Sequence, residues 1–206
     1  SWPPISQRTE EGLIEGIDVD IIGELNKRLG GRLKIQSGPW NTIYQQIQEQ
    51  KIDLLTGITP REFRKAKMDF TTPYLSVPHV IVARRGIEDY YQDEQALSGK
   101  TIALEKDFVN ATYFTQNFPD VKVTTYPNTL EALEAVSRGD ADVYAGSRLV
   151  VLHLIENQLL TNLRIHGRLS KPPTELAIAT RKDYPMLASI VQKALDDIGN
   201  EETIDR

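Results

Sequence analysis

The most informative stretch of this sequence is TGITPREFR, residues 56–64, which is followed by MDFTTPY, residues 68–74. The compact apolar run just before it, residues 52–55, is typical of a buried strand. The strand reaches Gly57, where the missing side chain allows the backbone to come close to a ligand. We therefore predict that a buried strand ends here at a binding edge.

The residues after Gly57 predict a helix start that favours an anion. Thr59 precedes Pro60, an order typical of an N-cap followed by proline in the first turn. Unpaired N–H groups at such a start carry partial positive charge. Arg64 lies about one turn further on, and its planar guanidinium can bind a carboxylate through two hydrogen bonds. The alternative is an ordinary surface helix that happens to carry an arginine.

Outward from this stretch, apolar spacing alternates between strand and helix in two series. The first series occupies residues 17–55 and the second residues 100–157. Extended stretches at residues 77–84 and 175–180 follow one series each, and a long amphipathic helix begins at Pro185. This pattern predicts an α/β fold of two lobes, each a mostly parallel sheet flanked by helices, joined by two crossing strands.

We place lobe 1 at residues 1–82 plus 178–206, and lobe 2 at residues 83–177. Ligands of such folds bind where the carboxyl ends of the strands meet loops and helix N-termini. In a two-lobed arrangement that region is the cleft.

Composition excludes several classes of function. The basic residues are dispersed and the net charge is −5, so we predict no nucleic-acid partner. The absence of cysteine excludes disulfides and thiol chemistry, and the three histidines lack metal-ligand spacing, so we predict no metal and no cofactor. No run approaches the roughly 18 apolar residues that span a bilayer. We expect a piece of a longer protein whose signal or membrane segments lie outside this sequence.

The stretch at residues 56–74 resembles the signature of the family 3 periplasmic solute-binding proteins, a Gly-x-Thr…Arg motif before Asp-Phe-Thr/Ser-x-Pro-Tyr. Four further segments resemble this family in the same order, namely GIDVD (16–20), KIDLL (51–55), LSGKT (97–101) and GDADV (139–143). The resemblance implies the type II periplasmic-binding-protein fold, also called the Venus flytrap. It also implies that Gly57, Thr59 and Arg64 hold the carboxylate of the ligand.

Two positions depart from the amino-acid receptors of that family. Ser147 stands where those receptors place the aspartate that pairs with the ligand ammonium, and a serine cannot neutralise that charge. Asp107 stands where they place a small hydroxyl residue, and it either replaces the lost carboxylate or, as we favour, caps the next helix. A plain α-amino acid is therefore in doubt as the ligand. Trp40 is either an aromatic wall of the site or a core residue, whereas Asp18 is expected to be a helix cap.

Residues 141–147 and 181–187 resemble the version of this fold found in sensor histidine kinases and related receptors. This resemblance implies an extracytoplasmic sensor domain of a membrane receptor, located in the periplasm, that closes on a small carboxylate-bearing ligand. A homodimer formed through the full-length receptor is left open. One alternative is a free periplasmic receptor of an amino-acid transporter. The other is a dehydratase-type enzyme using Glu105 or Asp107 as acid or base, although neither has a visible partner.

Overall fold

The computed structural model describes residues 2–106 and 108–204. The chain divides into two compact units, unit 1 formed by Ser1–Ser76 with Glu175–Arg206, and unit 2 formed by Val77–Thr174. In chain order the elements are β1 (Gln7–Arg8), β2 (Ile14–Glu15), α1 (Ile17–Arg28), α2 (Trp40–Gln48), β3 (Leu54–Ile58), α3 (Glu62–Lys65), β4 (Met68–Phe70), β5 (Leu75–Val77), β6 (His79–Arg84), a 3₁₀ turn (Glu94–Leu97), β7 (Thr101–Glu105), α4 (Val109–Asn117), β8 (Lys122–Tyr126), α5 (Thr129–Arg138), β9 (Val143–Ser147), α6 (Arg148–Asn157), β10 (Leu163–Arg168), β11 (Thr174–Arg181) and α7 (Pro185–Ile204).

The sheet of unit 1 is centred on β11, which pairs antiparallel with β3 and with β4. Residues 176–180 of β11 are at most 1% exposed. Ile178 packs with Leu25 of α1 and Val191 of α7, while Ala179 packs with Ile47 of α2 in a separate cluster. Successive residues of a strand point to opposite faces, so helices cover this sheet on both sides and the middle of the strand, residues 176–179, is apolar.

The sheet of unit 2 has the strand order β10-β6-β9-β7-β8. Its core also lies on both faces, because Val80 and Val82 belong to one apolar cluster and Ile81 and Ala83 to another. In this sheet β7 runs parallel to both of its neighbours, β8 and β9, and the three strands are linked through α4 and α5. Their carboxyl ends therefore lead into α4 and α6, the position where such folds bind ligands.

The α/β fold is confirmed, but the strand directions differ from the sequence prediction. The ladder pairs of β11 with β3 and β4 are antiparallel, and so are the pairs that β6 makes with β9 and β10. Parallel pairing is found for β7 with β8 and with β9. The prediction of mostly parallel sheets was wrong because of β6 and β11. Each of these strands comes where the chain passes from one unit to the other, and each joins the interior of a sheet. A strand–helix–strand repeat predicts direction only where a helix links two strands of the same sheet.

The division of the chain also differs from the predicted boundaries at 82/83 and 177/178. It falls between Ser76 and Val77 and between Thr174 and Glu175. The reason is that all of β6 belongs to the sheet of unit 2, and nearly all of β11 to that of unit 1. Over the described ranges, no helix has the length and apolar character needed to span a bilayer.

Candidate functional site

Arg64 is the central residue of the candidate site in unit 1. It lies half-buried in α3, where its Nη1 donates to the Thr59 carbonyl at 2.7 Å. Its guanidinium carbon lies 5.3 Å from the ring centroids of both Tyr44 and Phe63, within the range of cation–π attraction. Among residues 2–106 and 108–204 no carboxylate forms an ion pair with it. The structure therefore orients this cation without neutralising it.

The hydrogen-bond donors around Arg64 are not all used. Its Nε is buried and has no partner in the described part of the chain. Thr59 is half-buried, and within that same part neither its N–H nor its hydroxyl donates to another group. Buried donors are nearly always paired, and leaving one unpaired costs about 1–3 kcal/mol. A carboxylate has the acceptor geometry that a guanidinium and adjacent N–H and O–H donors would satisfy.

The predicted helix start at Thr59 and Pro60 is wrong. The helix α3 begins at Glu62, its N-cap is Arg61 with φ −132°, and it is four residues long. The first backbone bonds of this turn run from the Arg64 and Lys65 N–H groups to the Arg61 carbonyl, whereas the Thr59 carbonyl accepts from the Arg64 side chain. A single turn has little macrodipole. An anion bound in unit 1 would therefore meet the Arg64 and Thr59 donors and not a helix N-terminus.

Gly57 lies in a β-bulge and contacts a buried polar network. Between the pairs Ile58–Ala177 and Leu55–Ala179 the register shifts, and Gly57 adopts φ +64°. A Cβ on Gly57 would lie 2.7 Å from Oδ2 of Asp18, so only glycine fits. Its N–H already donates to the Tyr74 hydroxyl at 2.8 Å. Glycine is therefore required here by the Asp18 carboxylate, and the carboxylate-holding role implied by the family resemblance stays a prediction.

Asp18 is not the helix cap that the sequence predicts. The N-cap of α1 is Gly16, without a side-chain hydrogen bond, and Asp18 is 6% exposed. Its Oδ1 accepts from the Tyr74 hydroxyl at 2.5 Å and its Oδ2 from the Thr56 hydroxyl at 3.2 Å. Burial raises the pKa of Asp18, although both hydrogen bonds oppose that shift. Asp18 thus ties α1 to β3 and to the segment after β4.

Trp40 is 46% exposed, which excludes the core-residue alternative. Its ring stacks on Tyr44 at 5.9 Å between centroids, and Tyr44 in turn lies beside Arg64. Phe63, whose ring centroid also lies 5.3 Å from the guanidinium carbon, is 70% exposed. Neither Tyr44 nor Phe63 was predicted from the sequence as a site residue. Phe63 lies in the motif at residues 56–64, and Tyr44 lies one helical turn after Trp40. These rings form an exposed aromatic surface around the cation in unit 1.

The predicted contacts of lobe 2 have different outcomes. Ser147 is the N-cap residue of α6, yet its side chain makes no capping bond, and its buried Oγ has no partner in the described chain. Asp107 lies outside the described residues, so both of its predicted roles stay predictions. The N-cap of α4 is Phe108, without a side-chain cap. The structure brings three of the predicted residues together in unit 1, since Arg64 contacts Thr59 and Tyr44 lies beside both Arg64 and Trp40. Ser147 belongs to unit 2.

A polar network near Ser147 was not found from the sequence. Asn110, 5% exposed in α4, donates to the Ala145 carbonyl at 2.8 Å and lies 3.0 Å from His79 Nδ1. Its Oδ1 accepts from Lys171. Burial, with the nearby Lys171 charge, lowers the pKa of His79 to about 4. The signal that could have suggested the network is weak, an asparagine in the first turn of a helix that follows a buried strand.

Glu105, the residue proposed as an acid or base for an enzyme, has a structural environment. It is 5% exposed and accepts from the Tyr144 hydroxyl at 2.8 Å and from the Thr129 hydroxyl at 2.6 Å. Both donors hold it inside unit 2, where it has no opening to a substrate. Across the described residues no group of three or more histidine, cysteine or acidic side chains is placed to hold a metal ion.

Comparison with known proteins identifies the family. The sequence profile of the bacterial extracellular solute-binding proteins, family 3, matches residues 1–206. The chain belongs to this family. Family 3 membership agrees with the motif at residues 56–74 and with the two-unit α/β fold.

Among family 3 relatives, the chain is 29% identical over 157 residues to the virulence sensor protein BvgS of Bordetella pertussis. That match covers 76% of this chain but only 13% of BvgS. The chain is also 24% identical over 205 residues to the L-cystine-binding protein TcyJ of Escherichia coli K12, covering 99% of this chain and 76% of TcyJ. The crystal structure of the periplasmic VFT2 domain of B. pertussis BvgS is similar with a TM-score of 0.76 and 25% identity, covering 98% of this chain and 86% of that one. The chain is thus similar both to a sensor and to a binding protein.

Proposed function

We propose that this family 3 domain is the extracytoplasmic ligand-binding part of a membrane sensor receptor, and that it binds a small carboxylate. The observation that carries the proposal is the half-buried Arg64 guanidinium, which aromatic rings and the Thr59 carbonyl orient but no described acid neutralises. Arginine and carboxylate groups form strong, often bidentate, charge-assisted hydrogen bonds. Here a carboxylate ligand would be the partner.

The sensor assignment is supported by the similarity to BvgS in sequence and to its periplasmic VFT2 domain in structure. We place the domain in the periplasm, with membrane segments and an output domain elsewhere in the full-length protein, where a homodimer would also form. The domain itself is not an enzyme in this proposal, because Glu105 is held by two hydroxyl groups inside unit 2.

Signalling would follow from a population shift between two arrangements of the units. A ligand changes such an equilibrium only to the extent that it binds one arrangement more tightly. In this proposal Arg64 and Thr59 anchor the carboxylate on unit 1. Small-angle scattering would then show a smaller radius of gyration when a carboxylate is bound; an unchanged radius at saturation would contradict closure.

The binding proposal is tested by titrating the purified domain with a panel of small carboxylates by calorimetry. The variant Arg64→Ala should lower affinity for every carboxylate that binds, roughly 100-fold or more, because charge-assisted hydrogen bonds are lost. The matched control is Arg61→Ala, since Arg61 is exposed, lies three positions away and makes no side-chain hydrogen bond as N-cap. Equal losses in the two variants, or none in Arg64→Ala, would show that Arg64 is not the anchor.

A second function, a free transport receptor, is favoured by the match to TcyJ, which covers 99% of this chain and 76% of that protein. The position of Ser147 argues against it, since a serine gives no charge to pair with an α-ammonium group. The full-length gene separates the two functions. A sensor has a transmembrane helix and an output domain after α7, whereas a transport receptor has neither.

A further inference from the structure

The further inference concerns helix α6 of unit 2, which is more apolar than the core of that unit requires. Most of its ten residues are leucine, valine or isoleucine, yet within this fully described helix Val151 is the one buried residue. Leu154 and Ile155 pack with Val151 against one apolar cluster of unit 2. A helix that is apolar around most of its circumference is ordinarily covered on more than one side. Part of α6 therefore presents apolar side chains outside the core of unit 2.

The outward row of α6 consists of Arg148, Leu152 and Glu156, which are four residues apart and so lie on one side of the helix. All three side chains are exposed, and Leu152, in the middle, is 41% exposed. Leu149 precedes Leu152 by three residues and Leu159 follows it by seven, which is the spacing of the apolar seam between paired helices. The outward row therefore has the pattern of a surface that packs along another helix.

Leu159, just beyond the end of α6, has an unusual conformation. Its φ is +52°, in the left-handed region that glycine and asparagine adopt far more readily than a bulky residue. The side chain is also 77% exposed, so packing inside unit 2 does little to offset this strain. Strained residues concentrate at functional positions. A contact with another molecule would account for both the exposure and the conformation of this leucine.

The two charges of the outward row oppose the dipole of their own helix. Arg148 lies in the first turn, where the dipole favours an acid, and Glu156 lies in the last turn, where it favours a base. Over residues 2–106 and 108–204, neither side chain forms an ion pair. Each lies four residues from Leu152, so two antiparallel α6 helices centred on Leu152 would place every Arg148 beside a Glu156 of the other copy. The same pairing would bring each charge to the favourable end of the neighbouring helix.

We infer that α6 is a docking surface for a second copy of this chain, with two α6 helices packed antiparallel about a two-fold axis at Leu152. A two-fold interface must be complementary to itself, and the outward row meets this condition because its charges exchange places when the helix is reversed. Ten residues of helix are only about 15 Å long. The contact is therefore at the low end of interface sizes, and the dimer of the isolated domain is weak. This inference goes beyond the proposed function and requires no ligand.

The inference is tested by sedimentation equilibrium of the purified domain at up to about 1 mM, the range in which weak complexes dissociate. Arg148→Glu and Glu156→Arg should each raise the Kd of the dimer about 10-fold or more, because two symmetry-related attractions become repulsions. The double variant, and an equimolar mixture of the two single variants, should recover the parent affinity, which excludes misfolding as the cause of the loss. The matched control is Lys122→Glu, a charge reversal at an exposed residue of β8, which should leave the Kd unchanged.

The position of the two-fold axis is tested with a single cysteine, since the chain contains none. Two helices packed about 8–10 Å apart bring the Cα atoms at their crossing point within reach of a disulfide. Under mild oxidation by glutathione disulfide, Leu152→Cys should therefore form a covalent dimer much faster than Gln116→Cys, an exposed position of α4 in the same unit. A domain that stays monomeric, a dimer insensitive to both charge reversals, or equal cross-linking at positions 152 and 116 would overturn the inference. None of these results would affect the proposed binding of a carboxylate.

Discussion

Replacing Gly57 by alanine should destabilise unit 1 by about 2–5 kcal/mol. Part of this cost is backbone strain, because Gly57 has φ +64° and an alanine there costs about 1–2 kcal/mol. The rest arises because the new Cβ would lie 2.7 Å from Asp18 Oδ2. The carboxylate must move, which weakens its hydrogen bonds to Tyr74 and Thr56 at about 1–3 kcal/mol.

Thermal unfolding followed by circular dichroism measures this loss, which should lower Tm by roughly 4–20 °C in a chain of this size. The control is Gly31→Ala, since Gly31 has a similar φ of +73° but no atom within 4 Å of an added Cβ. It reports the strain alone, about 1–2 kcal/mol. In an Asp18→Ser background the shorter side chain should reduce the cost of Gly57→Ala to the same value. If Gly57→Ala costs no more than Gly31→Ala in the parent protein, the Asp18 contact is not what requires glycine.

Three further predictions concern other parts of the fold. The pKa of His79, about 4, lies below the ordinary 6.5, so between these pH values the unfolded chain binds more protons than the folded chain. The free energy of unfolding should therefore fall by roughly 3 kcal/mol as the pH falls from 6.5 to 4. In unfolding experiments His79→Gln should remove this part of the pH dependence, and an unchanged dependence would contradict the buried neutral imidazole. The chain has two tryptophans, Trp2 and Trp40, that can report binding through their fluorescence. Trp40→Phe should abolish the change in tryptophan fluorescence on titration with the tightest-binding carboxylate, whereas Trp2→Phe should preserve it. The reverse result would exclude Trp40 from the site. Asn128→Ala should cost about 1 kcal/mol and lower Tm by about 2–4 °C because the N-cap of α5 is lost, and an unchanged Tm would show that the cap adds no stability.

Features with a local cause were predicted well from the sequence. The sequence Asn128-x-x-Glu131 is a capping signature, and in the structure Asn128 Oδ1 accepts from the Glu131 N–H at 2.9 Å. The strand–helix order of β7, α4, β8, α5 and β9 is confirmed with parallel pairing. In these cases the spacing of apolar residues or a cap within one turn is sufficient, because no contact with a distant segment competes with it.

The misses have non-local causes. Asp18 has the position of a cap, but the hydroxyl of Tyr74, 56 residues away, takes its carboxylate. Lys171 has no motif at all, and its orientation depends on Asn110, 61 residues away. No pattern within a short window contains this information, so such contacts become visible only in the folded chain.

The hydrogen bonds of Asp18 separate two tasks in unit 1. Asp18, Tyr74 and the bulge at Gly57 fasten distant segments to each other, whereas Arg64 and Thr59 keep unused donors and carry little of that framework. Ligand specificity can therefore change through substitutions at positions 59 and 64 while the rest of unit 1 keeps its structure. For protein engineering, this makes the guanidinium and its aromatic neighbours the positions to vary in a search for altered ligand binding, with position 57 kept as glycine.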